Sequence, residues 1–304
     1  MIEHIEKILF AYQRNRSLQE YIDRKKGEND DTEFHSASSA GSCLLKHHYK
    51  HKDIPYIADP KSTRITSLGS LIHRDFEEAV EWAKQNIELC NDILIKNNIN
   101  PIGITHNSII ETEKVLVNKK IGVKCIFDYL EILPELKVAI VVDYKSAKAA
   151  AFSMQFTTKS DWQKNAQAKE KQDRMNGIYT GYELQLGTIG AMILQNISLV
   201  DNVILINAYY KKDDSVMKYK CITGNDPFEI KVNRLESVAH NEKNYANDKL
   251  FKAVYDYWEL VNSAPEDILP GDIGAPMASW ECKWSSGQCN YYEYCKEANP
   301  SFYL

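Results

Sequence analysis

Asp128 and Asp143 stand at equal distances on either side of the pair Glu135-Leu136, between two runs rich in β-branched residues, IGVKCIFDYLEIL and KVAIVVDYKSA. A two-residue turn at that pair sets the two carboxylates opposite each other on an antiparallel hairpin, with β-carbons roughly 5 Å apart. Carboxylates that close repel unless a proton or a cation lies between them. Lys145, two residues beyond Asp143, falls on the same face of its strand. The face thus presents Asp, Asp and Lys. Oxygen ligands of this kind suit Mg²⁺ or Mn²⁺, and such an ion can acidify water and neutralise charge developing during phosphodiester hydrolysis. Two strand ends and a surface ion pair would present the same three residues, so spacing alone leaves both readings open.

A second set of candidate ligands is sulfur. The segment WECKWSSGQCNYYEYC spaces Cys282, Cys289 and Cys295 as C-x6-C-x5-C. Three thiolates from one irregular segment leave a four-coordinate site open, and Cys43, in SAGSCLLKHHYK, is the distant fourth. Cys90, Cys125 and Cys221 lie in apolar contexts and read as core thiols. The opening MIEHIEKILF does not read as a secretory signal, and no run approaches a membrane span, so a cytoplasmic location is expected, in a host cell if the chain is viral. There, seven cysteines argue for metal ligation or free thiols over disulfides.

Positioning these groups takes helices around the hairpin. Ile2, Ile5, Leu9 and Tyr12 recur at helical spacing and predict an amphipathic helix over residues 2–24. Serines ahead of Cys43 can cap a short helix carrying it. Thr66 and Ser67 open a second helix, SLGSLIHRDFEEAVEWAKQ, with Leu68, Leu71, Ile72, Phe76, Val80 and Trp82 mostly on one face and His73 beside that stripe. IIETEKVLV and the two runs around the turn read as a β-meander. A helix over residues 178–195 and strands over 202–211 and 217–223 follow. Asp226-Pro227 reads as the N-cap and first position of a long helix running towards Val261. Pro265, Pro270 and Pro276 punctuate the tail, and no internal repeat is present, which excludes solenoids.

The chain of 304 residues has 44% apolar and 26% charged residues, ordinary globular usage that argues against extensive disorder. Its net charge of −5 gives no global nucleic-acid footprint, so any such contact must be local. Basic residues concentrate at 46–64, which also holds three histidines, and at 145–174. Both are equally explained as solvated faces. Residues 149–177 mix lysines with Phe152, Phe156 and Trp162, a combination suited to single strands, and are expected to form a mobile arch over the hairpin.

The run Gly69-x-x-x-His73, Asp128 in IGVKCIFDYL, Asp143-x-Lys145 in VVDYKSAK, and Gln185 on a following helix resembles the RecB-like branch of the PD-(D/E)xK nucleases. The resemblance spans residues 35–147, Gln185 and the C-terminal cysteines. It implies an α/β, restriction-endonuclease-like core with a central mixed sheet flanked by helices. The periphery would be helical and bound by a metal cluster. It further implies that His73, Asp128 and Asp143 ligate Mg²⁺ or Mn²⁺, that Lys145 assists the attacking water, and that Gln185 positions Lys145 or substrate. Where the family has tyrosine four residues after the glutamine, this chain has Ile189, with Tyr179 and Tyr182 upstream. The cysteine order, one before the core and three after, is similar to the iron-sulfur members of that branch. A 4Fe-4S cluster on Cys43, Cys282, Cys289 and Cys295 is the first expectation and Zn²⁺ the second, because the first two C-terminal cysteines lie four residues further apart than the family's.

The resulting expectation is a metal-dependent deoxyribonuclease acting as an exonuclease on single-stranded DNA ends. It would be organised as an N-terminal helical region (1–64), a nuclease core (65–223) and a C-terminal region (224–304) folding back on the first. Homo-oligomers, and recombination or CRISPR proteins, are the partners the resemblance allows; no membrane association is expected. Two other classes stay open: an inactive DNA-binding accessory that keeps the fold, and a zinc-stabilised interaction module.

Overall fold

Val-Ala-Ile-Val-Val-Asp opens strand β6 (Val138–Ala147), and all six of these residues are buried. A strand so apolar must be covered on both faces. In the computed structural model it is, at the centre of a six-stranded mixed sheet of order β2-β5-β6-β7-β8-β9. Its neighbours are β5 (Tyr129–Leu133), antiparallel, and β7 (Asn202–Lys211), parallel. β2 (Ile109–Glu111), β8 (Val216–Cys221) and β9 (Phe228–Ile230) complete it through antiparallel pairings. A smaller sheet takes β1 (His35–Ser36), β4 (Val123–Phe127) and β3 (Lys114–Asn118), with β1 parallel to β4. The structure describes residues 34–52, 54, 60–98, 108–147, 149–211, 216–223, 228–230, 248–265, 282–284 and 287–298. The helix expected over residues 2–24 and the prolines at 270 and 276 lie outside these.

Side-chain alternation divides the large sheet into two cores. Ala139, Val141, Val203 and Leu205 pack with helices α6 (Gly181–Asn196) and α7 (Asp248–Ser263), while Val138, Ile140, Val142, Ile204, Ile206 and Ala208 form the other face. Glycine sets the helix spacing: a Cβ at Gly190 would stand 2.8 Å from Leu205, and one at Gly187 2.9 Å from Leu250 and Val254. Trp258 of α7 is fully buried, and its indole N–H donates to Thr188 Oγ1 at 2.9 Å. This mixed sheet flanked by helices is the α/β architecture expected from the sequence. Cys90, Cys125 and Cys221 are buried, as expected of core thiols. Among the described residues, no helix is long and apolar enough to cross a membrane.

Four local expectations are corrected. The meander is two sheets, because IGVKCIFDYLEIL breaks at Asp128 into β4 and β5, and IIETEKVLV breaks between β2 and β3. The turn has four residues, 134–137, but it keeps the centre the sequence suggested, pairing Leu133 with Val138 and Tyr129 with Val142. Helix α2 (Pro60–Gln85) begins six residues before Thr66, at a proline suited to a first turn, and Leu71 and Trp82 of its stripe are exposed. Phe228–Ile230 pairs with β8 as a strand, so the helix read from Asp226-Pro227 does not start there.

Deleting the Trp258 side chain removes both a core volume and the partner of a buried hydroxyl. Trp258→Ala is expected to lower unfolding free energy by about 3–5 kcal/mol, measured by urea denaturation. A change below about 1 kcal/mol would contradict this packing.

Candidate active site

Asp128 lies where the chain leaves the small sheet for the large one, between Phe127 of β4 and Tyr129 of β5. Its Oδ2 accepts the backbone N–H of Tyr144 at 2.6 Å, which fixes the break against β6. The neighbouring chain breaks at the same level. There Glu113 adopts φ 50°, a left-handed conformation uncommon outside glycine, and donates its N–H to Phe127 O at 3.0 Å. Acidic side chains thus occupy both breaks.

Helix α2 supplies the third group. A Cβ at Gly69 would meet Ser146 Oγ at 3.2 Å, so glycine lets this helix approach β6 closely. One turn on, His73 Nδ1 reaches Asp128 Oδ1 at 3.3 Å, and two turns on, Phe76 packs on Tyr144 with ring centroids 4.5 Å apart. His73, Glu113 and Asp128 offer ligand atoms that all lie within 4.8 Å of one another. A nitrogen and two carboxylates at that separation can take a divalent cation.

Beside this group, Asp143 and Lys145 share a face of β6, and the side chain of Asp143 is nearly inaccessible. Lys145 Nζ stands 2.5 Å from Asp143 Oδ2 and donates to Gln185 Oε1 at 3.0 Å, while Gln185 Nε2 donates to Asp143 Oδ1 at 3.0 Å. The three form a closed triangle. Gln185 is delivered by the start of α6, where Thr180 and Glu183 make a reciprocal capping box. Glu183 is itself buried and accepts from Arg174 at 2.6 Å, which also binds Glu170. Ile189, four residues after Gln185, is fully buried in the core and leaves no room there for a polar ring. Tyr182 instead lies over Lys145, 4.9 Å from ammonium to ring centroid.

The electrostatics match this division. The hydrogen bond that His73 donates to Asp128 raises its imidazole above its ordinary 6.5, against the opposing effect of burial. Burial raises the Asp143 carboxyl, and Asp128 adds to the rise while Lys145 opposes it. Burial and the nearby Asp128 raise Glu113. Protons and cations therefore compete for one small volume.

The expected ligands His73 and Asp128 are brought together, and Asp143 lies beside them, held by Lys145 and Gln185. Glu113 was missed by sequence reading. The β3–β4 register, continued one step past Lys114 and Phe127, sets Glu113 opposite Asp128, which the alternating pattern of IIETEKVLV does not reveal.

The four expected cysteines lie in neighbouring segments, but among the described residues the group whose ligand atoms lie within 4.8 Å of one another is His73, Glu113 and Asp128. Cys43 caps helix α1 (Leu44–His51), and a hairpin of β10 (Lys283–Trp284) and β11 (Gly287–Gln288) closes with Cys289 N–H donating to Cys282 O at 2.8 Å. The antiparallel pairing of 283–284 with 287–288 returns the second cysteine to the first. Cys295 lies in α8 (Tyr292–Ala298), whose Tyr294 meets Tyr49 of α1 edge-on with centroids 4.9 Å apart. Burial pushes the Cys43 thiol up to about 12, with Cys289 and Cys282 adding to the rise; Cys289 is raised by burial and then by Cys295.

The arch expected at residues 149–177 is two helices, α4 (Ala149–Phe156) and α5 (Asp161–Met175). Phe152 and Phe156 pack on Tyr209 in a small core and are not free to stack, whereas Trp162 is 61% exposed. Several charges there are paired, Lys164 with Asp161, Lys169 with Asp173 and Arg174 with Glu170 within the segment, and Arg174 also with Glu183 of α6.

No protein-family model matches the chain, and no curated protein does. It is similar to a solved structure described as that of SSO0001, at 13% identity and a TM-score of 0.40, over 95% of this chain and 97% of that one. It is also similar to one described as a "Putative exonuclease" from Eubacterium rectale, at 12% identity and a TM-score of 0.37, over 88% of this chain and 89% of that one.

Since His73 holds its proton more firmly than an ordinary imidazole, Mn²⁺ affinity should rise with pH above the ordinary imidazole range as that proton is lost. Glu113→Gln should weaken Mn²⁺ binding by at least the roughly tenfold that an outer-shell partner is worth. Titration calorimetry reads both; a pH-independent affinity, or an unchanged one in the variant, contradicts this site.

Proposed function

We propose that this chain is a metal-dependent DNA exonuclease of the RecB type, hydrolysing phosphodiester bonds at single-stranded ends. One juxtaposition carries the reading: a histidine-carboxylate group within 4.8 Å stands beside a closed Asp143-Lys145-Gln185 triangle. Donors of this chemistry suit Mg²⁺ or Mn²⁺, which would be held by His73, Asp128 and Asp143, with Glu113 added to the expected set. Such a cation, when bound, polarises the phosphate and acidifies water.

The remaining steps belong to the chain's own groups. Lys145 is a three-proton donor held in place by Asp143 and by Gln185. Its ammonium donates a hydrogen bond to the attacking water or to the phosphate oxygen on which negative charge grows. Gln185 keeps that donor aimed by bonding both partners at once. Burial of Asp143 keeps bulk water from screening the pair, which strengthens the interaction. Exposed Trp162 and Tyr182 supply rings for stacking splayed bases, which favours single strands.

The cysteine site has a structural role in this reading. Cys43, Cys282, Cys289 and Cys295 are not joined by disulfides, and four thiols are a donor set whose chemistry suits a 4Fe-4S cluster first and Zn²⁺ second. Bound there, either group would tie the C-terminal hairpin and α8 to α1.

Degradation of end-labelled single- and double-stranded DNA, with Mn²⁺ or Mg²⁺ and protein purified without oxygen, tests the reading. Wild-type cleavage is expected to be metal-dependent and to fall by about a hundredfold or more in Lys145→Ala and in Asp143→Ala. Binding without cleavage would replace the nuclease by an inactive DNA-binding accessory. Broad visible absorption, lost in Cys43→Ala, is the expected signature of the cluster; a colourless, zinc-loaded and active protein would keep the nuclease and replace the cluster.

A further inference from the structure

The sheet face that carries Asp143 and Lys145 continues sideways. Asp143 pairs with Asn207 of β7, and Asn207 with Lys220 of β8, so these three side chains form one row across the sheet. A cavity of about 490 Å³ opens over that row, lined among others by Gln185, Tyr182, Asn207, Tyr209, Lys220 and Ser42. This volume lies within the range of small-molecule sites. Gln185 is shared between the cavity and the catalytic triangle, so the two are contiguous.

Asn207 is 1% exposed, and neither its Nδ2 nor its Oδ1 has a hydrogen-bond partner among the described residues. Buried amides are almost always bonded, so one that borders a cavity with both polar atoms buried and unpaired leaves hydrogen-bonding capacity for a partner from outside the fold. The chemistry of the walls narrows that partner. Lys220 is held by Glu170 at 2.6 Å and by Gln155 at 3.2 Å. Glu170 and Glu183 are bound in turn by Arg174. The cation of the lining is therefore neutralised, and Glu170 and Glu183 line the same cavity, which disfavours a phosphate. What fits is an uncharged, flat group with a donor beside an acceptor.

We propose that this cavity binds a nucleobase of the substrate strand next to the scissile phosphate, with the Asn207 carboxamide reading its edge. The pairing of an asparagine amide with adenine N6 and N7 makes adenine the best-matched base. Tyr182, 53% exposed between Lys145 and the cavity, offers a ring on which that base or its neighbour stacks. The inference rests on the nuclease reading for the identity of its ligand, but its test does not use cleavage.

Binding of a short oligodeoxyadenylate and of an abasic strand of equal length, in EDTA, is measured by fluorescence anisotropy. The wild-type protein is expected to prefer the adenine strand. Asn207→Leu, which keeps the volume and removes both polar atoms, should weaken that strand by roughly tenfold, the scale of one bidentate base contact, and leave the abasic strand unchanged. Asn207→Ala should do the same, and serves if the leucine variant misfolds. Equal wild-type binding of the two strands overturns the pocket, and so does an adenine preference that survives in both variants. Equal weakening of both strands overturns it in favour of a phosphate site. Cleavage without base dependence would keep the nuclease and lose the pocket; Asn207-dependent adenine binding without cleavage would keep the pocket and lose the nuclease.

Discussion

The carboxylate of Asp143 sits on a sheet face filled elsewhere by alanine, valine and leucine, with 4% of its surface exposed. A lone charge there would be costly, and it is tolerated because Lys145 and Gln185 close around it. That requirement propagates outward. Gln185 must arrive at the correct height, so the first turn of α6 is fixed by its capping box and by Arg174. The helix can come that near only because Gly181 passes the Ala40-Gly41 backbone closely; a Cβ at Gly41 would stand 2.7 Å from Gly181 Cα. Gly41 itself takes φ 71°, a conformation that suits glycine. The same loop leads directly into Cys43 and α1.

The second constraint is the break at Asp128. One strand serving two sheets must bend, and the bend exposes a carboxylate at the edge of the β6 ladder, where the Tyr144 N–H holds it. Its partner chain bends at Glu113, and α2 approaches over Gly69 to bring His73. Three separate segments thus deliver candidate ligands to one point while the strand pairing on either side stays regular. Helix, break and hairpin position the group without any long irregular loop among the described residues.

Much of this was legible in the chain. The symmetry of Asp128 and Asp143 about Glu135-Leu136 gave the register even though the turn is longer than expected, because adding one residue on each side preserves the centre. Gly69 and His73, one helical turn apart, gave the approach of α2. Glu113 was less legible, since an acid in IIETEKVLV looks like the polar half of an alternating strand; only the break gives it another role. The start of α2 was misplaced because Thr66 and Ser67 are good caps, and a proline six residues earlier is an equally good first position. Phe152 and Phe156 looked like stacking residues, but tertiary packing against Tyr209 uses them in a core. Asn207 carries no sequence signal at all: its place beside Asp143 comes from a parallel pairing between strands separated by three helices.

The proposed hydrolysis depends on one divalent cation held at the meeting point of the Asp128 break, α2 and β6. A crystal of the protein grown with Mn²⁺, examined by anomalous scattering, tests it most directly. The account predicts a single strong peak with His73 and Asp128 ligating at about 2.1–2.2 Å and a carboxylate of Asp143 or Glu113 completing the protein ligands. A peak bound elsewhere, or none at saturating Mn²⁺ with the Lys145-Asp143 pair intact, would contradict it.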